Sequence, residues 1–112
     1  MHDAAASRQR IRFCETPDGV RIAYAVSGSG PPLIKTGHWM SHLGADWDSP
    51  VWRPWLSLLS RHRTLIRFDP RGCGLSDRDV SDVSLDAWTR DLDAVVEDAG
   101  LDRFDLLGMS QG

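Results

Sequence analysis

A serine stands between two glycines in the segment GMSQG, residues 108–112. This G-x-S-x-G spacing is that of a nucleophile elbow, a sharp strand-to-helix turn that exposes the serine Oγ for attack on a substrate. The glycines allow backbones to approach closely at such a turn. The motif requires a preceding strand, and the apolar segment FDLLGMS (104–110) predicts one, while the helix that should follow would lie beyond Gly112.

Two other segments with polar residues and glycines follow predicted strands: TGHW (36–39) and DPRGCGLS (69–76). The second could be taken for a phosphate-binding loop. Neither the G-x-x-x-x-G-K-[ST] nor the G-x-G-x-x-G pattern is present, however. We therefore predict a structural turn in which Asp69 and Arg71 hydrogen-bond local backbone.

The elements that must position these segments can be predicted from periodicity. Alternating apolar and polar residues predict a β-hairpin over 10–16 and 20–28, with a turn at 17–19. Short apolar runs predict strands at 32–36, 63–69 and 104–110, and helical spacing predicts helices at 51–62 and 84–100, with an irregular loop at 37–50. Right-handed crossovers then make the later strands parallel in one sheet. We predict an α/β domain over 10–112 after a flexible tail at 1–9.

The predicted helices carry more specific expectations. Ser84 is the expected N-cap of the second helix, and Gly100 is the residue expected to end it. The apolar stripe expected to face the core consists of Leu85, Trp88, Leu92, Val95, Val96 and Ala99. In the first helix, Trp52 and Trp55 are expected in the core.

The three segments occur in the order and spacing of the oxyanion loop, the D-x-R-G-x-G-x-S turn and the nucleophile elbow of the α/β-hydrolase family. The chain resembles that family along nearly all of its length. The resemblance implies the N-terminal part of an α/β-hydrolase sheet, incomplete, in which an antiparallel hairpin is followed by parallel strands with crossover helices.

The resemblance also implies a chemistry. Ser110 would be the nucleophile of an esterase-like acyl hydrolysis that passes through a covalent acyl-enzyme. The backbone N–H groups of Gln111 and Trp39 would form the oxyanion hole. Gly37-His38 stands where the family commonly has His-Gly, which inverts the usual pattern.

The family's chain order places the acid and the histidine of the triad after the nucleophile. We therefore expect the 112 residues to be an N-terminal fragment that is inactive alone. His38 and His42 lie in the loop near the expected site, but this order gives no reason to assign either as the base.

Two alternatives stand beside the hydrolase. The segment HWMSHLGADWDSPVWRPWLSLLS (38–60) resembles a bacterial branch of the family whose modules occur alone or joined to nucleotide-cyclase or transcription-regulator domains. One alternative is accordingly a non-catalytic ligand-sensing module of a regulatory protein, with a fused domain downstream. The other is a short structural or interaction protein in which the serine motif has no role.

Charge and hydropathy restrict the partners. Thirteen Lys and Arg are interspersed with sixteen Asp and Glu, for a formal net charge of −3, which argues against nucleic acid. No apolar stretch approaches the roughly 20 residues of a membrane-spanning helix, and residues 1–10 lack the apolar core of a signal peptide. We expect a cytoplasmic protein that does not bind membranes.

The remaining candidate residues favour a small-molecule substrate with an acyl group. Trp39 and Trp47 lie in the loop beside the expected site and could line an apolar acyl pocket. Cys14 and Cys73 are far apart and are expected to be reduced thiols. The four histidines do not cluster with carboxylates, so no metal or cofactor is predicted.

Overall fold

The computed structural model describes residues 9–36, 42–81 and 84–108. Within these ranges the strands are β1 (Gln9–Glu15), β2 (Arg21–Gly28), β3 (Pro32–Lys35), β4 (Thr64–Phe68) and β5 (Asp105–Leu107). The helices are α1 (Leu43–Asp48), α2 (Arg53–His62) and α3 (Leu85–Ala99). The predicted hairpin, the later strands and both predicted helices are present, and α1 is an addition.

The strands form one mixed sheet in the order β1-β2-β4-β3-β5. β2 pairs antiparallel with β1 and with β4, whereas β3 lies parallel to both β4 and β5. The antiparallel hairpin and the parallel later strands were both predicted, and both are confirmed. Among the described residues β5 pairs with β3 alone and forms one edge of the sheet.

Helices cover both faces of the sheet because alternate residues of its central strands are apolar on each side. One face packs on α3 through a cluster made of Cys14, Ile22, Tyr24, Ile34, Ile66, Phe68 and Val95. The other face packs on α1 and α2 through Leu33, Trp47, Leu56 and Leu65. The core therefore consists of two layers with the sheet between them.

Helix α2 approaches the backbone of β2 closely at Gly28. The φ angle of Gly28 is +77°, and a Cβ at this position would collide with the carbonyl oxygen of Ser60. Beside this contact the hydroxyls of Ser27 and Ser60 lie 2.8 Å apart in a hydrogen bond between two buried side chains. Glycine is required here for both its φ angle and its lack of a side chain.

The ends of α3 agree with the prediction, but its inner face differs. The Ser84 hydroxyl accepts a hydrogen bond from Ala87 N–H, and Gly100 has a left-handed φ of 69°. The buried residues are Ala87, Asp91 and Val95, whereas Leu85 is 78% exposed. The expectation for Leu85 was wrong because the buried side of α3 runs through Ala87, Asp91 and Val95, which are four residues apart, and Leu85 does not lie on that side.

Two expectations for the region before β4 were also wrong. Trp55 is 59% exposed, because α2 faces the sheet with Leu56 and Ser60. Trp52 is half-buried and packs on the cluster that contains Trp47. Residues 43–48 form α1 instead of the predicted irregular loop, and the N-cap is the His42 side chain, whose Nδ1 accepts from Ala45 N–H.

Arg71 is a buried cation that joins three parts of the fold. Its Nε and Nη2 donate to Asp91 Oδ1 of α3 at 3.0 and 2.9 Å, and its Nη1 and Nη2 donate to Asp18 at 2.7 and 3.1 Å. We predicted that its side chain would bond local backbone; the structure adds that the guanidinium reaches carboxylates on α3 and on the hairpin turn. Asp91 also accepts from Arg71 N–H.

Asp18, in the hairpin turn, is the more exposed of the two carboxylates that contact Arg71. Hydrogen bonds from the Arg71 guanidinium and from the Thr16 hydroxyl hold the pKa of Asp18 well below its ordinary value. The native state therefore favours the ionised carboxylate more strongly than the unfolded state does.

Cys14 and Cys73 are both buried and are not joined by a disulfide bond, as expected of reduced thiols. Burial raises the pKa of Cys14 to about 11 and raises that of Cys73 as well. A buried thiol with a raised pKa carries little thiolate at neutral pH. Neither cysteine therefore has the environment of a nucleophile.

Replacing the buried partner of Arg71 should destabilise the protein strongly. Asp91→Asn leaves a buried guanidinium without its full countercharge, a change that typically costs about 3 kcal/mol or more. We expect a large drop in melting temperature. The control is Asp93→Asn, an exposed carboxylate two residues away on the same helix, for which we expect a change within about 0.5 kcal/mol. Equal melting temperatures for the two variants would contradict this account of Arg71.

The lowered pKa of Asp18 predicts part of the acid sensitivity of the fold. A carboxylate whose native pKa is depressed contributes stability above its ordinary pKa of about 3.9 and loses that contribution as the pH falls. The melting temperature of Asp18→Asn should therefore decrease less steeply than that of wild type between about pH 5 and pH 2. Asp79→Asn, at an exposed position in the following turn, should keep the wild-type slope. Identical slopes for Asp18→Asn and wild type would show that this pair does not contribute.

Candidate active site

The carboxyl ends of the three parallel strands lie side by side. In the sheet register Lys35 of β3 is the neighbour of both Arg67 of β4 and Leu107 of β5. The segments that leave these strands therefore begin at one edge of the sheet, where ligand sites of α/β folds are commonly built. They are the segment 37–41, the turn that begins at Asp69, and the segment that begins at Gly108.

A pair of hydrogen bonds joins the first of these segments to the last. Thr36 N–H donates to the carbonyl oxygen of Leu107 at 3.0 Å, and the Thr36 hydroxyl donates to the same oxygen at 3.4 Å. Thr36 precedes segment 37–41, and Leu107 precedes Gly108-Met109-Ser110. The start of the predicted oxyanion loop is thus fixed next to the start of the predicted elbow.

The predicted catalytic residues themselves lie just past these fixed points. Ser110, Gln111 and Trp39 are outside the described residues, as is His38. Their predicted roles remain predictions. The strand that leads into the elbow is confirmed at Asp105–Leu107.

Trp47 is part of the core. It is 7% exposed and packs with Leu33, Leu56 and Leu65, and the guanidinium carbons of Arg53 and Arg67 lie 4.9 and 5.7 Å from the centroid of its ring. These contacts show that Trp47 packs in the core. Its predicted part in an acyl pocket stays a prediction.

The backbone of His42 and Leu43, which follows segment 37–41, is held by polar and charged side chains. His42 N–H donates to Asp46 Oδ2 at 3.2 Å, and Leu43 N–H donates to Asp69 Oδ2 at 3.1 Å. The carbonyl oxygen of Leu43 accepts from Arg67 Nη2 at 3.2 Å and from the Gln9 side chain at 3.1 Å. His42 uses its ring nitrogen in the cap of α1, so it has a structural role.

The turn after β4 is organised around the carboxylate of Asp69. Asp69 Oδ2 also accepts from Leu75 N–H at 2.9 Å, and Gly74, with φ +50°, passes so close to this carboxylate that a Cβ would collide with it. The Ser76 hydroxyl donates to the carbonyl oxygen of Asp69 and accepts from Ala23 N–H at 2.8 Å. The expectation of a structural turn in which Asp69 bonds backbone is confirmed.

Two buried cations, Lys35 and Arg67, lie next to the edge formed by the carboxyl ends of the parallel strands. We did not predict them from the sequence. Lys35 lies 5.3 Å from the centroid of the Trp52 ring, and burial lowers the pKa values of both Lys35 and Arg67. A signal existed, because PLIK and TLIRF each place a basic residue inside an apolar strand. Asp91 could have been noticed in the same way, because it is an acidic residue on the apolar stripe of α3.

A cavity of about 630 Å³ lies between β1 and α3, toward the opposite edge of the sheet from β5. Four carboxylates line it, from Glu15, Asp93, Glu97 and Asp98. An acidic lining differs from the apolar pocket expected for an acyl group. We therefore do not include this cavity in the candidate site.

The parts of the chain that the structure describes contain neither a candidate metal-binding cluster nor a candidate membrane-spanning helix. No group of three or more His, Cys, Asp and Glu in 9–36, 42–81 and 84–108 is placed to hold a metal ion. None of the helices in those ranges has both the length and the hydropathy needed to cross a membrane.

Of three known proteins similar to this chain, two are named as hydrolases and one is named as an oxidoreductase. RutD of Azorhizobium caulinodans, named as a carbamate hydrolase, is 27% identical over 91 residues, which cover 81% of this chain and 32% of RutD. EphD of Mycobacterium tuberculosis, named as an oxidoreductase, is 32% identical over 95 residues, covering 81% of this chain and 15% of EphD. The structure of the esterase RhEst1 from Rhodococcus matches with a TM-score of 0.74 and 34% identity, over 91% of this chain and 37% of RhEst1.

The chain thus spans about a third or less of the length of these relatives. The family model for the alpha/beta hydrolase fold matches residues 37–112, which include the segment after β3, the Asp69 turn and the GMSQG motif. The match covers more than half of the chain, and the sheet has the expected hairpin followed by parallel strands. The chain belongs to the alpha/beta hydrolase fold family.

Proposed function

We propose that these residues form the nucleophile-bearing part of a serine hydrolase that acts on small-molecule acyl compounds. The observation that carries the proposal is the pair of hydrogen bonds from Thr36 to Leu107. These bonds support the proposal because Thr36 directly precedes the segment expected to hold an oxyanion donor, and Leu107 directly precedes the motif expected to hold the serine. Membership of the alpha/beta hydrolase fold family supports it.

In the proposed reaction Ser110 Oγ attacks the carbonyl carbon of the substrate. A carbon–oxygen bond forms as the carbonyl electrons move onto its oxygen, and the N–H groups of Gln111 and Trp39 stabilise this oxyanion. Collapse of the intermediate breaks the bond to the leaving group, which departs with a proton and leaves an acyl-enzyme. Water then attacks the acyl group and releases the acid.

Serine needs a base to remove its proton, and the base needs a carboxylate to orient it. We propose that both come from further residues of a longer protein, because this chain covers only 32%, 15% and 37% of the three relatives named above. Under this proposal the 112 residues alone do not turn over substrate.

The substrate class follows from the chemistry that a serine nucleophile permits. RhEst1 is named as an esterase and RutD as a carbamate hydrolase, and esters and carbamates both present a carbonyl carbon to a nucleophile. We propose an uncharged acyl substrate held beside Trp39 and Trp47, in a cytoplasmic enzyme.

Labelling by a fluorophosphonate tests the nucleophile, since this probe reports an activated serine. We expect the full-length protein to be labelled at Ser110, Ser110→Ala to lose the label completely, and Ser81→Ala, at an exposed serine of the turn, to keep it. Labelling that survives Ser110→Ala would show that the nucleophile is another residue. A full-length protein that is not labelled would favour a ligand sensor over an enzyme.

A further inference from the structure

Both polar groups of the Leu43 backbone are held by buried side chains of opposite charge. The Leu43 N–H donates to the Asp69 carboxylate, and the Leu43 carbonyl oxygen accepts from the Arg67 guanidinium. Arg67 lies two residues before Asp69 in the chain. Asp69 is 0% exposed and Arg67 is 5% exposed. Because residues 67 and 69 are two apart at the end of β4, both side chains lie on the same face of the sheet.

Burying these charged side chains carries a free-energy cost that apolar residues at the same positions would not carry. Burying a charge is unfavourable unless hydrogen bonds and countercharges compensate it, and apolar replacements of buried ion pairs are often neutral or stabilising. Arg67 has Asp46 at 3.9 Å as its nearest countercharge, and Asp46 itself accepts from His42 N–H. The three charged groups therefore all act on residues 42 and 43.

Residues 42 and 43 are the far anchor of segment 37–41. Its near anchor is Thr36, bonded to Leu107 beside the elbow. The charged groups at the far anchor therefore act on the backbone that directly follows this segment.

We propose that Arg67 and Asp69 are positioning residues that fix the oxyanion-hole segment by holding the backbone of Leu43. This inference rests on the proposed function. Neither side chain touches the substrate in this account. Because the oxyanion exists only in the transition state, loosening the segment should lower kcat and leave KM unchanged.

The test is steady-state hydrolysis of p-nitrophenyl butyrate by variants of the full-length protein, measured well below every melting temperature. We expect Asp69→Asn to lower kcat by about 10- to 100-fold and Arg67→Met by about 10-fold, with KM within about twofold of wild type. Each variant has a matched control that removes a buried charge without touching Leu43. Asp91→Asn is the control for Asp69, and Lys35→Met, at the neighbouring buried cation on β3, is the control for Arg67.

The controls separate positioning from stability. Asp91→Asn should lower the melting temperature at least as much as Asp69→Asn does, yet keep kcat within about twofold of wild type. Lys35→Met should likewise keep kcat. If Asp69→Asn and Asp91→Asn lose kcat equally, or if Asp69→Asn keeps the wild-type kcat, the positioning role is overturned.

Hydrogen exchange tests the same claim without catalysis. The Leu43 amide should exchange at least about 10-fold faster in Asp69→Asn than in wild type, while it stays protected in Asp91→Asn. Unchanged protection of Leu43 in Asp69→Asn would overturn the inference and leave the proposed function standing. Wild-type hydrolysis by Ser110→Ala would instead overturn the proposed function, whatever the exchange of Leu43.

Discussion

The arrangement of this fold depends on one buried carboxylate, that of Asp69. A single oxygen of it accepts N–H groups from Leu43 and from Leu75, so it ties the start of α1 to the turn after β4. The backbone of the same residue donates to Ala23 on β2, and its carbonyl accepts from Ser76. Two loops and a strand therefore meet at a residue with no exposure to solvent. Buried polar groups that are fully hydrogen-bonded in this way favour one conformation over its alternatives.

Much of the secondary structure could be predicted from the sequence, because local sequence patterns agree with the observed strands and helices. Alternation predicted the hairpin, short apolar runs predicted β3 and β4, and Ser84 and Gly100 marked the ends of α3. The errors concern which side of a helix meets the sheet. Periodicity finds an apolar stripe, but the exposure of Trp55 and Leu85 depends on which side of each helix faces the sheet, and tertiary packing decides that. Helix α1 was missed because it has only six residues, and histidine is not among the residues preferred as N-caps.

The long-range charge pairs could not be derived in the same way. Arg71 meets Asp18 at a distance of 53 residues and Asp91 at a distance of 20, so no local pattern connects them. Family resemblance supplied the positions of the elbow and the oxyanion loop. What the structure adds is the hydrogen bond from Thr36 N–H to the carbonyl oxygen of Leu107, which joins the residues that directly precede 37 and 108. It also shows that Arg67 and Asp69, two buried charged residues at the end of β4, hold the backbone of Leu43.

The central claim is that Ser110 and an N–H group of segment 37–41 act on the same carbonyl group. The most direct measurement is a crystal structure of the full-length protein after reaction with a fluorophosphonate, which mimics the tetrahedral intermediate. The account predicts phosphorus bonded to Ser110 Oγ, with the phosphonyl oxygen about 3 Å from Gln111 N–H and from an N–H of segment 37–41. An adduct on another residue, or a phosphonyl oxygen that no N–H of this segment approaches, would contradict it.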